Sequence, residues 1–345
     1  MTGRNFWFDD PDFAATSLAA ALRRTPLGFV DVGVRGGVHE LVEPIAQATG
    51  VLAFDPDPAA CAELVSASAS EGWGEYEIIP AGLAETAGTR TLHLLSAPTN
   101  HSLLPPNEAF TGRYRMVKHL PVGYMEVPTL SLDEALFQRY PHRRNWGEFL
   151  KLDTQGTEYD ILCGARRTLQ ERSVALLVEV EFCEIYQGQK LFSDIEKMVR
   201  DLGFSFYSFT KYYYRSRKVF DKRQRFGRER IMCADAVFFK DPLPGGPAGP
   251  LSERQTHALT VSALLLGYYD FARELALETW ARESQEAAHI EAFIDRLAAR
   301  PPAQAQASIE RLAREAALRP EDANLLAVRF ADVYRTVCDV DDVIE

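Results

Sequence analysis

The alternation of apolar strands and amphipathic helices over the first 83 residues constrains the fold more than any other feature. Three apolar runs end in turns and predict buried strands: 28–33, 51–55 and 76–83. Helical periodicity predicts three helices beside them: 11–24, 38–48 and 57–68. A β-α-β-α-β series favours parallel strands with helices on both faces. We therefore predict an α/β fold that is preceded by an N-terminal helix within residues 1–26.

The same patterns continue to residue 240. Further strands are expected in these segments: 89–95, 149–153, 174–182, 204–209 and 233–239. Further helices are expected over 130–140, with Ser131 as a cap, and over 192–203, which Gly203 ends. The segment 96–112 is rich in turn formers and is interpreted as a functional loop or as a plain connector.

A linker is predicted at 241–250, where ten residues contain four prolines and three glycines. The resulting organisation is a main domain over 27–240 and an all-α C-terminal domain over 251–345. The stretches 264–278 and 318–345 loosely resemble tetratricopeptide repeats. We expect this tail to pack on the main domain, on a second copy of the chain or on another protein.

Charge and cysteine usage narrow the class of protein. The 345 residues carry a net charge of −11, which argues against nucleic acid as the main partner. No apolar run is long enough to span a membrane, and the N-terminus does not resemble a secretory signal. The five cysteines include no C-x-x-C pair, so a reducing cytoplasm is expected.

One segment opposes the overall acidity. Residues 211–230 contain nine Lys or Arg and two acidic residues, interleaved with aromatic side chains. One interpretation is a solvated hairpin tip, and the other is a clamp for an anionic glycan or a phosphorylated sugar carrier.

The glycine-rich turn "DVGVRGG" (31–37) lies between a predicted strand and a predicted helix. It lacks both the G-x-G-x-x-G spacing of dinucleotide sites and the G-K-[ST] of a P-loop. Asp55, which ends the next strand, can accept hydrogen bonds from both ribose hydroxyls or can cap the following helix. Asp31 can pair with an amino group. These features favour S-adenosylmethionine over a nicotinamide dinucleotide.

Successive motifs also resemble those of the FkbM-type methyltransferases over residues 27–240. The motifs are "FVDVGVRGG", "AFDPDP", "IIPAGLAETAG", "VPTLSLDEAL" and, most specifically, "FLKLDTQGTEYDILCGA". The resemblance implies a seven-stranded Rossmann-like sheet, S-adenosylmethionine as donor, and methyl transfer to a hydroxyl, often on a sugar or natural product. The cofactor-binding residues expected from these motifs are Asp31, Gly33, Gly37, Asp55, Pro56, Ala81 and Gly82. Val34-Arg35 stand where the family usually has Ala-Asn, and Asp55 where Glu is commoner.

Acidic residues at strand ends are the candidates for chemistry. Asp153 is predicted to be a general base or a metal ligand beside the acceptor, and Glu181 a second ligand. Oxygen ligands favour Mg, Mn or Ca, with His101 as a further ligand or base. Lys151 shares a strand face with Asp153, so the two form either part of the catalytic site or a buried ion pair.

The sequence thus predicts an S-adenosylmethionine-dependent O-methyltransferase whose acceptor is a hydroxyl-bearing small molecule or glycan. The alternative is a non-catalytic binding or scaffold protein with a degenerate nucleotide fold and a partner-binding helical tail.

Overall fold

The computed structural model describes residues 4–68, 72–225, 227–280 and 284–334. The chain divides into two compact units. The first comprises Met1–Arg215 and Ile231–Leu297, and the second comprises Ser216–Arg230 and Ala298–Glu345.

Ten strands lie in the described residues and form two sheets. They are β1 (Leu27–Val32), β2 (Thr49–Phe54), β3 (Glu75–Ile79), β4 (Gly82–Leu83), β5 (Gly88–Leu95), β6 (Pro121–Leu130), β7 (Phe149–Leu152), β8 (Ala175–Glu181), β9 (Ser205–Arg215) and β10 (Arg230–Phe239). The large sheet has seven strands in the order β3-β2-β1-β7-β8-β10-β9. The pairs from β3 to β8 are parallel, and β10 runs antiparallel to β8. The predicted seven-stranded α/β fold is confirmed.

The strand order reverses at β1, which lies between β2 and β7. Ligands of open α/β sheets bind outside the carboxyl ends of the strands at such a switch point. The small sheet, in the order β4-β6-β5, was not expected from the sequence. Gly, Pro and polar residues interrupt the strand pattern over 85–128, so the sequence predicts only the strand 89–95 of this sheet beside β4.

Thirteen α-helices lie in the described residues. They are α1 (Pro11–Ala15), α2 (Ser17–Arg24), α3 (Pro58–Ser68), α4 (Glu108–Arg113), α5 (Leu132–Glu134), α6 (Glu158–Cys163), α7 (Arg166–Glu171), α8 (Phe192–Arg200), α9 (Glu253–Leu265), α10 (Tyr269–Thr279), α11 (Gln285–Ala298), α12 (Pro302–Leu318) and α13 (Ala323–Tyr334). The predicted helix 38–48 is a 3-10 helix, Glu40–Ala48, with Pro44 inside it. The N-terminal helix is two helices, because Thr16 is extended between them and caps the second. Ser131 caps α5 as predicted, since its side chain accepts from the backbone N–H of Glu134.

Side chains on one face of the large sheet, including Phe29, Phe149 and Phe239, form one core with the N-terminal helices and with α9, α10 and α11. A second core on the other face includes Leu152, Val178 and side chains of α6, α7 and α8. The sheet is therefore covered on both faces, and the segment 251–297 supplies part of that cover.

This packing differs from the predicted organisation, in which the segment 241–250 separates two domains. The 241–250 segment is a set of turns in which Asp241 accepts hydrogen bonds from the backbone of Leu243 and Ala248. Leu243 and Leu251, at its two ends, pack against the first core. Proline and glycine predicted the turns correctly, but they do not report whether the neighbouring side chains are buried. The tetratricopeptide resemblance stays a prediction: its stretch 264–278 lies in the first unit, whereas 318–345 lies in the second and extends beyond the described residues.

Among the described helices, none combines the length and the apolar character that a membrane crossing requires.

Arg254 provides a test of how firmly α9 is fixed to the sheet. Its guanidinium donates two hydrogen bonds of 2.6 Å to the carboxylate of Glu148, which is 3% exposed. Replacement by methionine leaves that carboxylate buried without its counter-ion. We expect Arg254→Met to lower the free energy of unfolding by about 3–5 kcal/mol, measured by urea denaturation.

The matched control is Arg273→Met, which removes an exposed ion pair with Glu291. We expect it to cost about 0–1 kcal/mol. Equal losses in the two variants would show that α9 does not depend on this ion pair.

Candidate functional site

A pocket lies at the carboxyl ends of β1, β2 and β7 in the first unit. It contains about 610 Å³ of empty space, part of which is open to solvent. Of the residues predicted from the sequence, seven line it: Gly33, Asp55, Pro56, Ala81, Gly82, His101 and Asp153. The remaining four, Asp31, Gly37, Lys151 and Glu181, do not. The pocket also receives one wall from the turn-rich segment, through Pro98, Thr99 and Ser102.

Gly33 brings two chain segments unusually close. It has φ +84°, and a Cβ on it would lie 2.0 Å from the carbonyl oxygen of Asp153. Only glycine allows the turn after β1 to pass the end of β7 at this distance. Gly33 therefore allows the two segments to meet where they line the pocket.

Asp55 is buried at the end of β2, and burial raises the pKa of its carboxyl. Its Oδ1 accepts from the backbone N–H of Asp57 at 2.8 Å. The cap of α3 is Asp57, which accepts from Ala59 and Ala60. The alternative in which Asp55 caps the helix is therefore wrong, and its carboxyl lines the pocket instead.

Arg35, one of the two departures from the family pattern, ties the walls of the pocket together. Its guanidinium forms an ion pair with Asp57 and donates to the carbonyl of Pro98 at 2.9 Å. It thus joins the turn after β1 to the start of α3 and to the turn-rich segment.

Asp31 has a different place from the one expected. It is completely buried, it accepts from the backbone N–H of His39 at 2.8 Å, and its Oδ1 lies 3.3 Å from Nζ of Lys151. A contact with the amino group of a ligand is not supported, because these protein partners surround it and it does not line the pocket. Gly37, with φ +123°, serves the same turn and also lies outside the pocket lining.

Lys151 lies between two carboxylates on the central strand β7. Its Nζ is 3.3 Å from Asp31 and 3.9 Å from Asp153. Burial alone would lower the pKa of Lys151, but the charges of Asp31 and Asp153 outweigh it and raise that pKa. The geometry thus supports the interpretation of Lys151 and Asp153 as an ion pair, and it adds Asp31 as a second acidic partner of Lys151.

Glu181 is buried at the end of β8, away from the pocket lining. Burial, and then the negative charge of Glu158, raise the pKa of Glu181 well above its usual range. Within the described part of the chain, no group of three or more His, Cys, Asp or Glu residues could hold a metal ion. The predicted metal site of Asp153 and Glu181, with or without His101, is therefore not supported.

His101 lines the pocket, but its Nδ1 accepts from the backbone N–H of Leu95 at 3.1 Å. Burial lowers the pKa of His101, so the ring is neutral at pH 7 and its hydrogen lies on Nε2. This arrangement makes the free nitrogen a hydrogen-bond donor and argues against a role as base.

The sequence analysis missed Gln155, which lines the pocket directly after the end of β7. Its side-chain Nε2 donates to Asp153 at 3.0 Å and to Glu179 at 2.7 Å. Its Oε1 accepts from the hydroxyl of Tyr186 at 3.0 Å. The sequence feature that could have indicated Gln155 is a glutamine directly before Gly156, in the turn that also contains Asp153.

Glu158 fixes the same turn from the first turn of α6. Its carboxylate accepts from the backbone N–H of Thr154 at 2.6 Å, from the hydroxyl of Thr154 at 2.9 Å, and from the backbone N–H of Gly156 at 3.0 Å. Glu158 therefore shapes the turn that presents Asp153 and Gln155.

Comparisons with known proteins agree with the motifs. The sequence profile of the methyltransferase FkbM domain matches residues 31–206. One similar solved structure is the methyltransferase FkbM from Methylobacillus flagellatus KT, with 13% identity over 62% of this chain and a TM-score of 0.34. The chain spans 43% of the length of that protein.

Another similar structure is the magnesium protoporphyrin IX methyltransferase ChlM from Synechocystis PCC 6803 with bound S-adenosylmethionine. The identity is 12% over 68% of this chain and 86% of that one, and the TM-score is 0.28. No curated protein matches the chain.

The buried carboxyl of Glu158 generates a pH prediction. Burial raises its pKa to about 7 in the folded protein, from a reference value of 4.5. A carboxyl whose pKa is raised in the folded protein binds its proton more tightly there than in the unfolded chain. The free energy of unfolding therefore falls as the pH rises from about 4.5 to about 7. We expect Glu158→Gln to show a smaller fall over this range, measured by urea unfolding at several pH values.

Glu171→Gln, which changes an exposed acid paired with Arg167, is the control and should keep the original pH dependence. A pH dependence of Glu158→Gln identical to that of the unmodified protein would contradict the assignment.

Proposed function

The chain belongs to the FkbM methyltransferase family, and we propose that it transfers the methyl group of S-adenosylmethionine to a hydroxyl of a sugar, glycan or natural product. The observation that carries the proposal is the pocket at the switch point of the sheet, where Asp55 and Asp153 line one cavity. One carboxyl suits a ribose, and the other suits a reacting hydroxyl.

The residues of the pocket fit this cofactor. Asp55 is a buried carboxyl with the acceptor capacity that a ribose diol needs. The apolar side chains of Phe54, Leu83 and Leu92 also line the pocket and suit the flat adenine ring. When bound, S-adenosylmethionine supplies an electrophilic methyl group on a sulfonium. Gly33, Pro56, Ala81 and Gly82 complete the proposed cofactor site.

Asp153 is the proposed general base. Its side chain is 43% exposed, whereas the neighbouring acids Glu179 and Glu181 are more enclosed, and Lys151 lies 3.9 Å from its Oδ2. In the transfer, the acceptor oxygen forms a bond to the methyl carbon and the carbon–sulfur bond breaks towards sulfur. The hydroxyl proton passes to the Asp153 carboxylate.

The proposal also includes a role for the basic segment in acceptor binding and a cytoplasmic location. The described residues of the basic segment 211–230 are mostly exposed, and the segment suits an anionic group on a glycan acceptor. Arg223 is engaged otherwise, because it pairs with Asp322 at 2.7 Å in the second unit. A cytoplasmic enzyme is consistent with the free thiols of Cys61, Cys163, Cys183 and Cys233 in the described residues. Self-association or partner binding through the C-terminal helices remains part of the proposal.

Cofactor binding tests the first half of the proposal. S-adenosylmethionine or its demethylated product should raise the melting temperature by mass action. Asp55→Ala removes the ribose acceptor, so we expect a dissociation constant about 10- to 100-fold higher by calorimetry. Glu63→Ala, an exposed change on α3, is the control. Stabilisation by NAD but not by S-adenosylmethionine would refute the cofactor assignment.

Charge reversal tests the anionic acceptor. Arg225→Glu with Arg228→Glu should raise KM for an anionic glycan several-fold, more at low salt than at high salt, because exposed charges are screened. Cofactor affinity should not change. The control is Arg311→Glu with Arg314→Glu, the same charge change on α12. An equal KM in both double variants would exclude the basic segment from acceptor binding.

A further inference from the structure

Gln155 has a backbone conformation that L side chains rarely adopt. Its φ is +61°, and Gly156 after it has φ +103°. The turn is held in place because the carbonyl of Gln155 accepts from Oγ of Ser102 at 2.7 Å. A Cβ on Gly156 would lie 3.0 Å from the ring of Tyr186, so the turn also packs closely on that side chain. Unusual backbone geometry that the surroundings enforce is characteristic of functional sites.

The side-chain amide of Gln155 has only one orientation that satisfies its neighbours. Its Nε2 faces the carboxyls of Asp153 and Glu179, and both can accept its hydrogens. Its Oε1 lies 3.0 Å from the hydroxyl of Tyr186, which is 1% exposed. A flipped amide would place its oxygen against the two carboxyls and lose both of those hydrogen bonds, whereas the hydroxyl of Tyr186, which also lies 3.0 Å from the carbonyl oxygen of Asn100, could accept from it.

Two carboxyls that accept hydrogen bonds from one amide group lie close together, so ionisation of one disfavours ionisation of the other. Burial, and then the charge of Asp153, raise the pKa of Glu179 well above its usual range. Asp153 is the more exposed of the two and has Lys151 beside it, so Glu179 is the carboxyl that holds a proton more readily.

The other groups around Glu179 are of both signs. Lys151 lies on β7, and two carboxyls, Glu181 and Glu158, lie on the same strand and on α6. Asp235 on β10 is in register with Glu179. The neutral groups are Cys233 on β10, Tyr186 after β8 and Tyr213 on β9. Three carboxyls against one ammonium add to the effect of burial and favour the proton on Glu179.

We propose that Gln155 is a positioning residue that joins the carboxyls of Asp153 and Glu179 and so keeps the Asp153 side chain directed at the acceptor hydroxyl. The proposal rests on the methyl transfer described above and extends it. Without the Gln155 amide, each carboxyl loses a hydrogen bond that favours its charged form, and only their direct hydrogen bond to each other still joins them.

The test replaces Gln155 by an isosteric apolar side chain. For Gln155→Met we expect the acidic limb of the kcat/KM profile to move to higher pH by about one unit, the size of one hydrogen bond to a charged group. Tyr186→Phe, which removes only the hydroxyl that orients the amide, should give a smaller shift in the same direction. The movement of the acidic limb is the decisive readout, because a purely structural defect would lower kcat/KM at every pH without moving that limb.

Gln187→Met is the matched control, because the side chain of this exposed glutamine donates to the carbonyl of Pro106 at 3.1 Å, away from the two carboxyls. Its pH profile should equal that of the unmodified enzyme. A profile of Gln155→Met without the shift would overturn the proposal.

A second measurement needs no acceptor and so separates the failure of this proposal from the failure of the proposed function. The full chain, labelled with ¹³Cδ-glutamate and free of cofactor, is titrated by NMR, and Glu179→Gln assigns the resonance. We expect Glu179 to titrate at higher pH in Gln155→Met than in the unmodified protein, because it loses a hydrogen bond that favours its charged form, even if no hydroxyl acceptor is ever methylated. Identical titrations in the two proteins would show that Gln155 does not position the carboxyl pair.

Discussion

The site is built around one buried ammonium. Lys151 lies on the central strand β7 between the carboxylates of Asp31 and Asp153, and a lysine that is 8% exposed requires such partners. Asp31 in turn holds the backbone of His39, so the same charge fixes the turn after β1. The charge of Lys151 therefore determines the position of the proposed base. It also determines the shape of the glycine-rich turn and the approach of β1 to β7.

Much of this arrangement could be predicted from the sequence because it is encoded locally. Apolar runs that end in a turn defined the strands β1, β2 and β8, and the carboxyl ends of parallel strands meet at one edge. That reasoning placed Gly33, Asp55 and Asp153 at a common site, and all three line the pocket.

The errors concern contacts between distant segments. Asp31 was expected to face a ligand, but its partners Lys151 and the His39 backbone follow from the three-dimensional packing of β1 against β7. Glu181 was expected at the rim because its strand ends there, whereas its side chain is enclosed beside Glu158. Gln155 was overlooked because nothing in a linear pattern shows that one amide reaches two carboxyls on different strands.

The ion pair of Arg254 with Glu148 has a consequence for the order in which the chain acquires its structure. Glu148 directly precedes β7, and its partner follows 106 residues later. During synthesis the ribosome releases β7 well before Arg254, so the nascent sheet holds at its centre a carboxyl that water must still solvate. The strand that bears Lys151 and leads into Asp153 becomes fully buried only after α9 has emerged. The core on this face of the sheet is thus closed late, by a helix that contributes nothing to the lining of the pocket.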